Sequence, residues 1–225
     1  IASTVYLAEE MRKRNIHMRL GLGGISAPMV HLMEEGLIEL LVDTQDFDLE
    51  AVHSIQEHPD KHIEITCSEY ANPLNKLDFV ILAALEVDIH FNCNVVTDSS
   101  GIITGAQGGH PDTAAGAKCT IIMTPLLQGR SPAVCTDVTT VTTPGETVDV
   151  VITDHGIAIN PARPDLIEAA TASGLHIQTI EELRDLAYSI AGEPEKISFG
   201  NRIVGIIEAR DGSIIDVVRQ YKPVE

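Results

Sequence analysis

The chain has 225 residues, of which 44% are apolar and 21% charged, and it carries a formal net charge of −18 at pH 7. This length and composition are typical of a soluble α/β protein that buries a full hydrophobic core. The negative charge and the absence of tryptophan argue against general binding to nucleic acid or to an anionic membrane, because lysine, arginine and aromatic side chains bind such partners. No apolar run approaches the roughly 20 residues that cross a bilayer.

The cysteines and histidines bear on the compartment and on metal binding. Four cysteines, Cys67, Cys93, Cys119 and Cys135, are spread without a CxxC pair. This favours free thiols in a reducing compartment over a disulfide or metal set. The nine histidines are scattered without an HExxH motif. With no recognisable signal peptide, we expect a cytoplasmic protein and no metal site. The start at Ile1 without a methionine leads us to expect a piece of a longer chain.

The first third of the chain predicts helices alternating with short strands. The predicted elements are a helix at 4–14, a strand at 16–22, a helix at 26–35, a strand at 37–42, a helix at 48–57 and a strand at 63–65. A Gly-rich loop at 21–24 leads into the second helix, which Ser26 caps and Gly36 ends. Because parallel sheets bind ligands beyond the carboxyl ends of their strands, the polar segment Asp43–Asp46 is a candidate site wall. A solvated turn is the alternative for that segment.

The remaining two thirds predict a second, larger set of strands. The predicted elements are buried strands at 79–85 and 120–123, a hairpin of 133–141 with 148–153, a helix at 163–173, a strand at 177–180, a helix at 181–191 and a hairpin of 203–208 with 214–218. Between the first two strands lies a second Gly-rich loop at 105–109. We find no internal repeat or low-complexity linker and expect one domain.

The residues themselves favour a site made of backbone donors. There is no GxSxG motif for a serine nucleophile and no dinucleotide fingerprint. Glycine lets a backbone approach a ligand closely, so loops 21–24 and 105–109 could converge on an acyl carbonyl. His110 and His155, each beside an aspartate at a strand end, are further candidates. This pattern indicates acyl or phosphoryl chemistry, and a Gly-rich connection without a ligand is the alternative.

Several motifs resemble those of known transferases. The segment 87–118, VDIHFNCNVVTDSSGIITGAQGGHPDTAAGAK, resembles the coenzyme A transferases, and other segments resemble the citrate lyase α subunit still more closely. Those segments are LGGISAPMVHLMEEGLI (22–38), GGHPDTA (108–114), VDVVITDHGIAINPARPDL (148–166) and DGSIIDVV (211–218). The resemblance covers essentially the whole chain and corresponds to the C-terminal half of that subunit, without its N-terminal lobe.

The resemblance implies a fold and a reaction. The fold is the NagB/RpiA/CoA-transferase type of α/β protein, here one lobe over 1–225 with a mainly parallel central sheet and flanking helices. The reaction, a step of citrate fermentation, is that of citrate CoA-transferase: acetyl-S-carrier and citrate give citryl-S-carrier and acetate. No cofactor is expected to be covalently bound to this chain, because the acyl carrier (γ) subunit holds the CoA-like group, for which CoA or acetyl-CoA can substitute. A lyase (β) subunit and a homo-oligomer within a larger complex are the other implied partners.

The resemblance also assigns roles to residues. Leu22 and Gly23 match one loop whose backbone N–H lies at the thioester oxygen, and Gly108 and Gly109 match the opposing loop. Gln45 stands where many CoA transferases have a nucleophilic glutamate. Because an amide is a poor nucleophile, this favours direct attack by citrate through a mixed anhydride. The implied substrate-binding residues are Thr44, Asn92, Asn94, His110, Asp112 and Arg163.

Three alternatives remain open from the residues. Arg163 could bind a carboxylate or phosphate, or it could form a salt bridge at the start of its helix. A CoA transferase for another acid could use a covalent intermediate on Glu86. Alternatively, the chain could be a docking and assembly module, with the chemistry in the missing half. Pro111 departs from the expected motif and should stiffen its loop.

Overall fold

The computed structural model describes residues 2–65, 73–98 and 100–222. Within the chain, contacts separate two compact units, Ile1–Glu69 and Tyr70–Glu225. The assignment of 1–225 to one lobe stays a prediction. Cys67 lies outside the described residues. None of the described helices has the length and apolar content that a bilayer crossing requires.

The first unit is a three-stranded parallel sheet with helices packed against it. Its elements are α1 (Ala2–Arg14), β1 (Gly21–Ile25), α2 (Ala27–Glu34), β2 (Leu41–Asp46), α3 (Leu49–Glu57) and β3 (His62–Glu64). The strand order is β1-β2-β3. The core consists of apolar side chains from both layers, including Met11 on α1, Leu32 on α2 and Leu41 on β2, all almost completely buried. The three predicted helices are confirmed, and Gly36 has the positive φ of 79° expected of the residue that ends α2.

Two of the three strand predictions in this unit, 16–22 and 37–42, began four to five residues before the observed strands, whereas the third, 63–65, is confirmed by β3. The Gly-rich segment is strand β1 itself, and the polar segment 43–46 is the second half of β2. We had expected both segments to be loops, and this expectation was wrong. Glycine fits at Gly21 because a β-carbon there would lie 2.9 Å from a methyl group of Leu41. A larger residue at this position would require the Leu41 side chain to move.

Asp48 joins the starts of two helices. Its Oδ1 accepts a hydrogen bond from the backbone N–H of Ala51 at 2.9 Å, and its Oδ2 accepts one from Ala27 at 2.8 Å. Ser26, predicted as the cap of α2, occupies the N-cap position, but its side chain makes no capping bond. The prediction of the capping group was wrong, because a carboxylate 21 residues further along the chain binds the donor instead.

Replacing Asp48 by alanine is expected to lower the free energy of unfolding by about 1–3 kcal/mol. The substitution removes the acceptor from two helix N-termini at once, and one cap contributes roughly 0.5–2 kcal/mol. Urea unfolding of the chain measures the change. Asp60→Ala, at an exposed turn, is the matched control and should stay within about 0.5 kcal/mol of the parent. Equal losses in both variants would contradict the capping role.

The second unit contains several small sheets. Its strands and helices are β4 (Phe79–Ala83), β5 (Glu86–Asp88), β6 (Cys93–Asn94), α4 (His110–Gly116), β7 (Cys119–Met123), β8 (Leu127–Gln128), β9 (Ser131–Pro132), β10 (Val134–Cys135), β11 (Val150–Thr153), β12 (Gly156–Ile159), α5 (Pro164–Ala172), α6 (Ile180–Ala191), β13 (Phe199–Glu208) and β14 (Ile214–Tyr221), with 3-10 turns at Pro73–Lys76 and Gly145–Thr147. The largest sheet has the order β12-β11-β7-β4, in which only β12 is antiparallel. Strand β10 pairs in parallel with β5.

Most predicted elements of this unit are present, with three errors. The strand predicted at 177–180 is only an isolated bridge between Gln178 and Ala158, and α6 already begins at Ile180. Helices α5 and α6 and the terminal hairpin β13–β14 are confirmed. The hairpin predicted from 133–141 and 148–153 is wrong: Val150–Thr153 pairs with β7 and β12 instead. Strand β4 was predicted to be buried, but it ends its sheet and leaves Phe79 68% exposed. Apolar composition predicted a strand in each case, but it could not specify the partner.

Candidate active site

The predicted site residues of the first unit lie on two adjacent strands. In the register of β1 and β2, Leu22 is opposite Val42, and Gly24 is opposite Gln45. A register shift between Gly23 and Gly24 marks a bulge at this point. Gly23 has φ of 121°, and a β-carbon there would meet no atom within 4 Å. The fold thus places Leu22–Gly23 beside Thr44–Gln45 at the carboxyl end of a parallel sheet, the edge where such sheets bind ligands.

The predicted site wall Asp43–Asp46 meets a residue that sequence reasoning missed, His62. Asp43 and Asp46 on β2 and His62 on β3 each bring one oxygen or nitrogen to within 4.8 Å of the others. The pKa of Asp43 is raised to about 6, first by burial and then by the negative charges of Asp46 and Glu64. One available signal was the spacing His58-x3-His62, but α3 ends before His58, so these two histidines do not share a helical face.

In the second unit, the segment after β5 is a tight turn built around Asp88. Its Oδ1 accepts hydrogen bonds from the backbone N–H groups of His90 and Asn92, at 2.9 and 3.0 Å. Phe91 between them has φ of 64°, unusual for a residue with a side chain. The Asn92 amide donates to Asp88 Oδ2 and accepts from the Gly145 N–H at 2.8 Å. Asn92 therefore positions backbone, and its substrate-binding role stays a prediction.

Asn94 is completely buried and forms the centre of a polar network. Its side-chain nitrogen donates to Glu86 Oε2 and to the carbonyl and hydroxyl oxygens of Thr97, at 2.7–3.0 Å. Its side-chain oxygen accepts from the N–H groups of Val96 and Thr97, both at 3.1 Å. All hydrogen-bonding groups of the amide are used within the protein. The structure thus gives Asn94 a positioning role, and its substrate-binding role stays a prediction.

The second glycine segment, 105–109, precedes helix α4. We had not predicted a helix between this segment and strand β7. Gly108 has φ of 52°, and Gly109 occupies the N-cap position. A β-carbon at either glycine would meet nothing within 4 Å, so this backbone is open to an approaching group. Within the described residues, the two N–H groups donate to no acceptor. Asp112 lies in the first turn of the helix and is 5% exposed.

His110 is held by both ring nitrogens. Its Nε2 lies 2.9 Å from the Ala83 carbonyl oxygen, and its Nδ1 lies 2.6 Å from the Thr143 hydroxyl. The Nε2–H donates to the carbonyl, so Nδ1 accepts from the hydroxyl in the neutral ring. Burial lowers the pKa of His110 to about 4. The imidazole links α4 to β4 as a neutral group, and contact with substrate stays a prediction.

The half-buried His110 predicts a stability that decreases in acid. Below about pH 6.5 the unfolded chain binds a proton at this histidine, whereas the folded chain does so only near pH 4. The free energy of unfolding should therefore fall between these values, by up to about 3 kcal/mol from this group. Urea unfolding at pH 7.0, 5.5 and 4.5 measures the slope. Comparison with His110→Gln isolates this contribution, and identical slopes in the two proteins would refute it.

The remaining two candidates are engaged in surface contacts. Arg163 pairs with Asp149 at 2.7 Å and with both oxygens of Asp165 at 2.8 and 2.9 Å. This is the helix-start salt bridge that we had kept as the alternative, and it raises the pKa of Arg163 further. His155 lies in the turn between β11 and β12, with Nδ1 3.1 Å from Asp154 Oδ1. A substrate role for either residue stays a prediction.

Comparisons with known proteins decide the family. A family model described as "Citrate lyase, alpha subunit (CitF)" matches residues 1–221. The chain belongs to the citrate lyase alpha subunit family. Its relatives include the citrate lyase alpha chain of Klebsiella pneumoniae, 50% identical over 99% of this chain and 45% of the relative. That of Escherichia coli (strain K12) is 47% identical over 99% of this chain and 44% of the relative. The chain spans slightly less than half the length of these relatives.

Solved structures confirm the predicted CoA-transferase-like α/β class. A crystal structure of a citrate lyase alpha subunit from Streptococcus mutans, in complex with citrate, has a TM-score of 0.91 and 47% identity. The similarity covers 97% of this chain and 44% of that one. A Pseudomonas malonate decarboxylase hetero-tetramer in complex with malonate has a TM-score of 0.56 at 17% identity, over 83% of this chain and 43% of that one. The similarity to the malonate decarboxylase shows only a shared fold.

Proposed function

We propose that this chain forms the C-terminal lobe of a citrate CoA-transferase, which exchanges acetyl for citryl on the thiol of an acyl carrier's CoA-like group. The observation that carries the proposal is the similarity, at a TM-score of 0.91 over 97% of the chain, to a citrate lyase alpha subunit that binds citrate. Family membership over residues 1–221 supports the same reaction. The proposed substrates are citrate and the acetyl thioester.

The proposed reaction has two acyl-transfer steps. A citrate carboxylate oxygen attacks the acetyl carbonyl of the thioester. The C–S bond breaks, the carrier departs as a thiolate, and a mixed anhydride of acetate and citrate is formed. The thiolate then attacks the citryl carbonyl of the anhydride. The C–O bond to the bridging oxygen breaks, acetate leaves with that oxygen, and citryl-S-carrier is formed. Both steps pass through an oxyanion, which hydrogen-bond donors stabilise by about 3–4 kcal/mol each.

The residues of this chain fit such a mechanism better than one with an acyl-enzyme. Gln45, at an exposed position beside Gly24, is an amide where a nucleophile would be needed. The alternative nucleophile Glu86 is 5% exposed, and its oxygens accept hydrogen bonds from Asn94, Thr139 N and the Thr139 hydroxyl. A carboxylate held in this way is shielded from a thioester. In the second unit, the open backbone at Gly108 and Gly109 supplies candidate oxyanion donors. The donor role of Leu22 and Gly23 in the first unit rests on the family resemblance.

The proposed partners follow from the reaction. An acyl carrier (γ) subunit would present the thioester, and a lyase (β) subunit would cleave the citryl product, within a larger complex that also contains further copies of this chain. CoA or acetyl-CoA should substitute for the carrier group. We propose the cytoplasm as the compartment, which is supported by free buried thiols at Cys93, Cys119 and Cys135.

An acyl-exchange assay tests the proposal. The 225-residue chain, alone and joined to the N-terminal half in the full-length subunit, is incubated with acetyl-CoA or acetyl-carrier and citrate, and the thioester is identified by mass spectrometry. We expect citryl thioester from the full-length subunit. Its absence from a folded full-length subunit would refute the citrate assignment. Carrier binding without any exchange in either protein would instead support the docking module.

An isotope experiment separates the two transferase mechanisms. In a single turnover with citrate labelled by ¹⁸O in its carboxyl groups, the mixed-anhydride route places one labelled oxygen in the acetate released. An acyl-glutamyl route, through Glu86 or another carboxylate, takes that oxygen from the enzyme and releases unlabelled acetate. Hydroxylamine would also trap an acyl-enzyme on the protein. Unlabelled acetate with a trapped protein adduct would therefore replace our mechanism by the covalent one.

A further inference from the structure

His62 is buried with both ring nitrogens unsatisfied. Its side chain has 0% exposure, and neither Nδ1 nor Nε2 has a hydrogen-bond partner. Nε2 lies 3.2 Å from Asp43 Oδ2 and 3.8 Å from Asp46 Oδ1, without hydrogen-bond geometry. Both of these carboxylate oxygens also lack a partner and are buried. Four polar atoms without partners in one place require an explanation, because each costs roughly 1–3 kcal/mol.

The charges at this place are also unbalanced. The side chains of Asp43 and Asp46 are 3% and 9% exposed. Among the described residues, neither makes an ion pair with lysine or arginine. Glu64 adds a further negative charge near Asp43, and the nearby His58 faces Glu34 at 3.2 Å. Buried carboxylates are normally paired with a cation.

We propose that Asp43, Asp46 and His62 bind one divalent transition-metal ion, with Zn²⁺ as the best fit. Zinc accepts histidine nitrogen and carboxylate oxygen at about 2.0–2.2 Å in tetrahedral geometry, which separates its ligands by about 3.3–3.4 Å. The two nitrogen–oxygen distances of 3.2 and 3.8 Å lie on either side of this value. A mixed nitrogen and oxygen set favours zinc or manganese over magnesium.

The position of the site gives the ion a structural task. Asp43 is opposite Gly23 in the register of β1 and β2, and Asp46 follows Gln45 directly. His62 begins β3, so the ion would link β2 to β3, two strands that are separated along the chain by helix α3. Bound there, it would fix the carboxyl end of β2 beside the predicted catalytic residues. This inference is independent of the exchange reaction and does not require the ion to contact citrate.

Metal binding tests the site directly. The chain is freed of metal with EDTA, dialysed, and titrated with Zn²⁺, Mn²⁺ and Mg²⁺ by calorimetry, with bound zinc counted by mass spectrometry. We expect one Zn²⁺ per chain, weaker Mn²⁺, little Mg²⁺, and a melting temperature that rises with zinc and falls with EDTA. Asp43→Asn and His62→Gln should each weaken zinc binding at least 100-fold, whereas His53→Gln, an exposed histidine on α3, should not change it.

Several outcomes would overturn the proposal. The absence of bound metal in the parent chain is one, and an unchanged zinc affinity of folded His62→Gln is another. The third is a higher stability of Asp43→Asn together with no effect of zinc, because this result would indicate a proton shared by the two carboxylates instead of a metal ion. If the variants do not fold, X-ray absorption of the zinc-loaded parent chain decides the question. One imidazole with oxygen ligands supports the site, and any sulfur or a second imidazole in the first shell refutes it.

Discussion

Replacing Gly109 by proline in the full-length subunit is expected to lower the acyl-exchange rate by about 10²–10³-fold. Proline removes the backbone N–H that the proposed mechanism directs at the oxyanion. It preserves the local conformation, because its fixed φ near −65° is close to the φ of −86° at Gly109. No atom lies within 4 Å of the β-carbon position, so the β-carbon of the ring has room. The loss should appear in kcat more than in KM, because the donor acts on charge that develops in the transition state.

Gly109→Ala is the matched control for this experiment. Alanine adds a β-carbon at the same open position but keeps the N–H, so we expect a loss of less than about tenfold. Thermal unfolding of both variants should lie within a few degrees of the parent, which separates catalysis from folding. A folded proline variant with the parental exchange rate would remove this N–H from the mechanism. Equal losses in the two variants would point to loop shape as the cause.

Replacing Gly145 by alanine is expected to lower the free energy of unfolding by about 3 kcal/mol or more. A β-carbon at Gly145 would overlap the His90 carbonyl oxygen and lie 2.8 and 2.9 Å from backbone atoms of Phe91 and Asn92. These atoms belong to the Asp88 turn, which two hydrogen bonds hold in place. A backbone obstacle cannot rotate away as a side chain could, so the turn or the 3-10 segment must move.

Urea unfolding measures this loss, with Gly109→Ala as a control that changes the same residue type in open space. The Gly145 N–H also donates to the Asn92 side chain at 2.8 Å, so displacement should release that amide as well. In the full-length subunit we therefore expect reduced exchange together with reduced stability. A Gly145→Ala chain as stable as the control would show that the turn is softer than its hydrogen bonds indicate.

Local signals predicted helices better than strands. Helices α2, α5 and α6 each end at or just before a glycine with positive φ, and α6 begins with a capping box at Thr179. These signals act within a few residues, so the sequence displays them. Strand limits depend on the neighbouring strand. The glycine segment 21–25 forms β1 only because Leu41–Asp46 pairs with it.

The candidate site shows the same division. Motifs in the sequence located Gly23, Gln45 and Gly109, and the fold places the first two on adjacent strands. Residue type alone did not separate side chains that face a ligand from those that form hydrogen bonds or ion pairs within the protein. Asn94, His110 and Arg163 were all chosen for their polar groups, and each now binds neighbouring protein atoms. Long-range contacts decide which polar groups remain free.

By itself, the sequence determined the family, the α/β class and every helix except α4, because each rests on residues close together in the chain or on motifs read as a whole. Only the tertiary structure decided the strand partners, the role of Asp48 as a double cap and the meeting of Asp43, Asp46 and His62. Asp48 lies 21 positions from Ala27, and His62 lies 19 and 16 positions from Asp43 and Asp46. The physical basis of these features is the pairing of strands and the burial of charge, which act through space and leave no periodic mark on the chain.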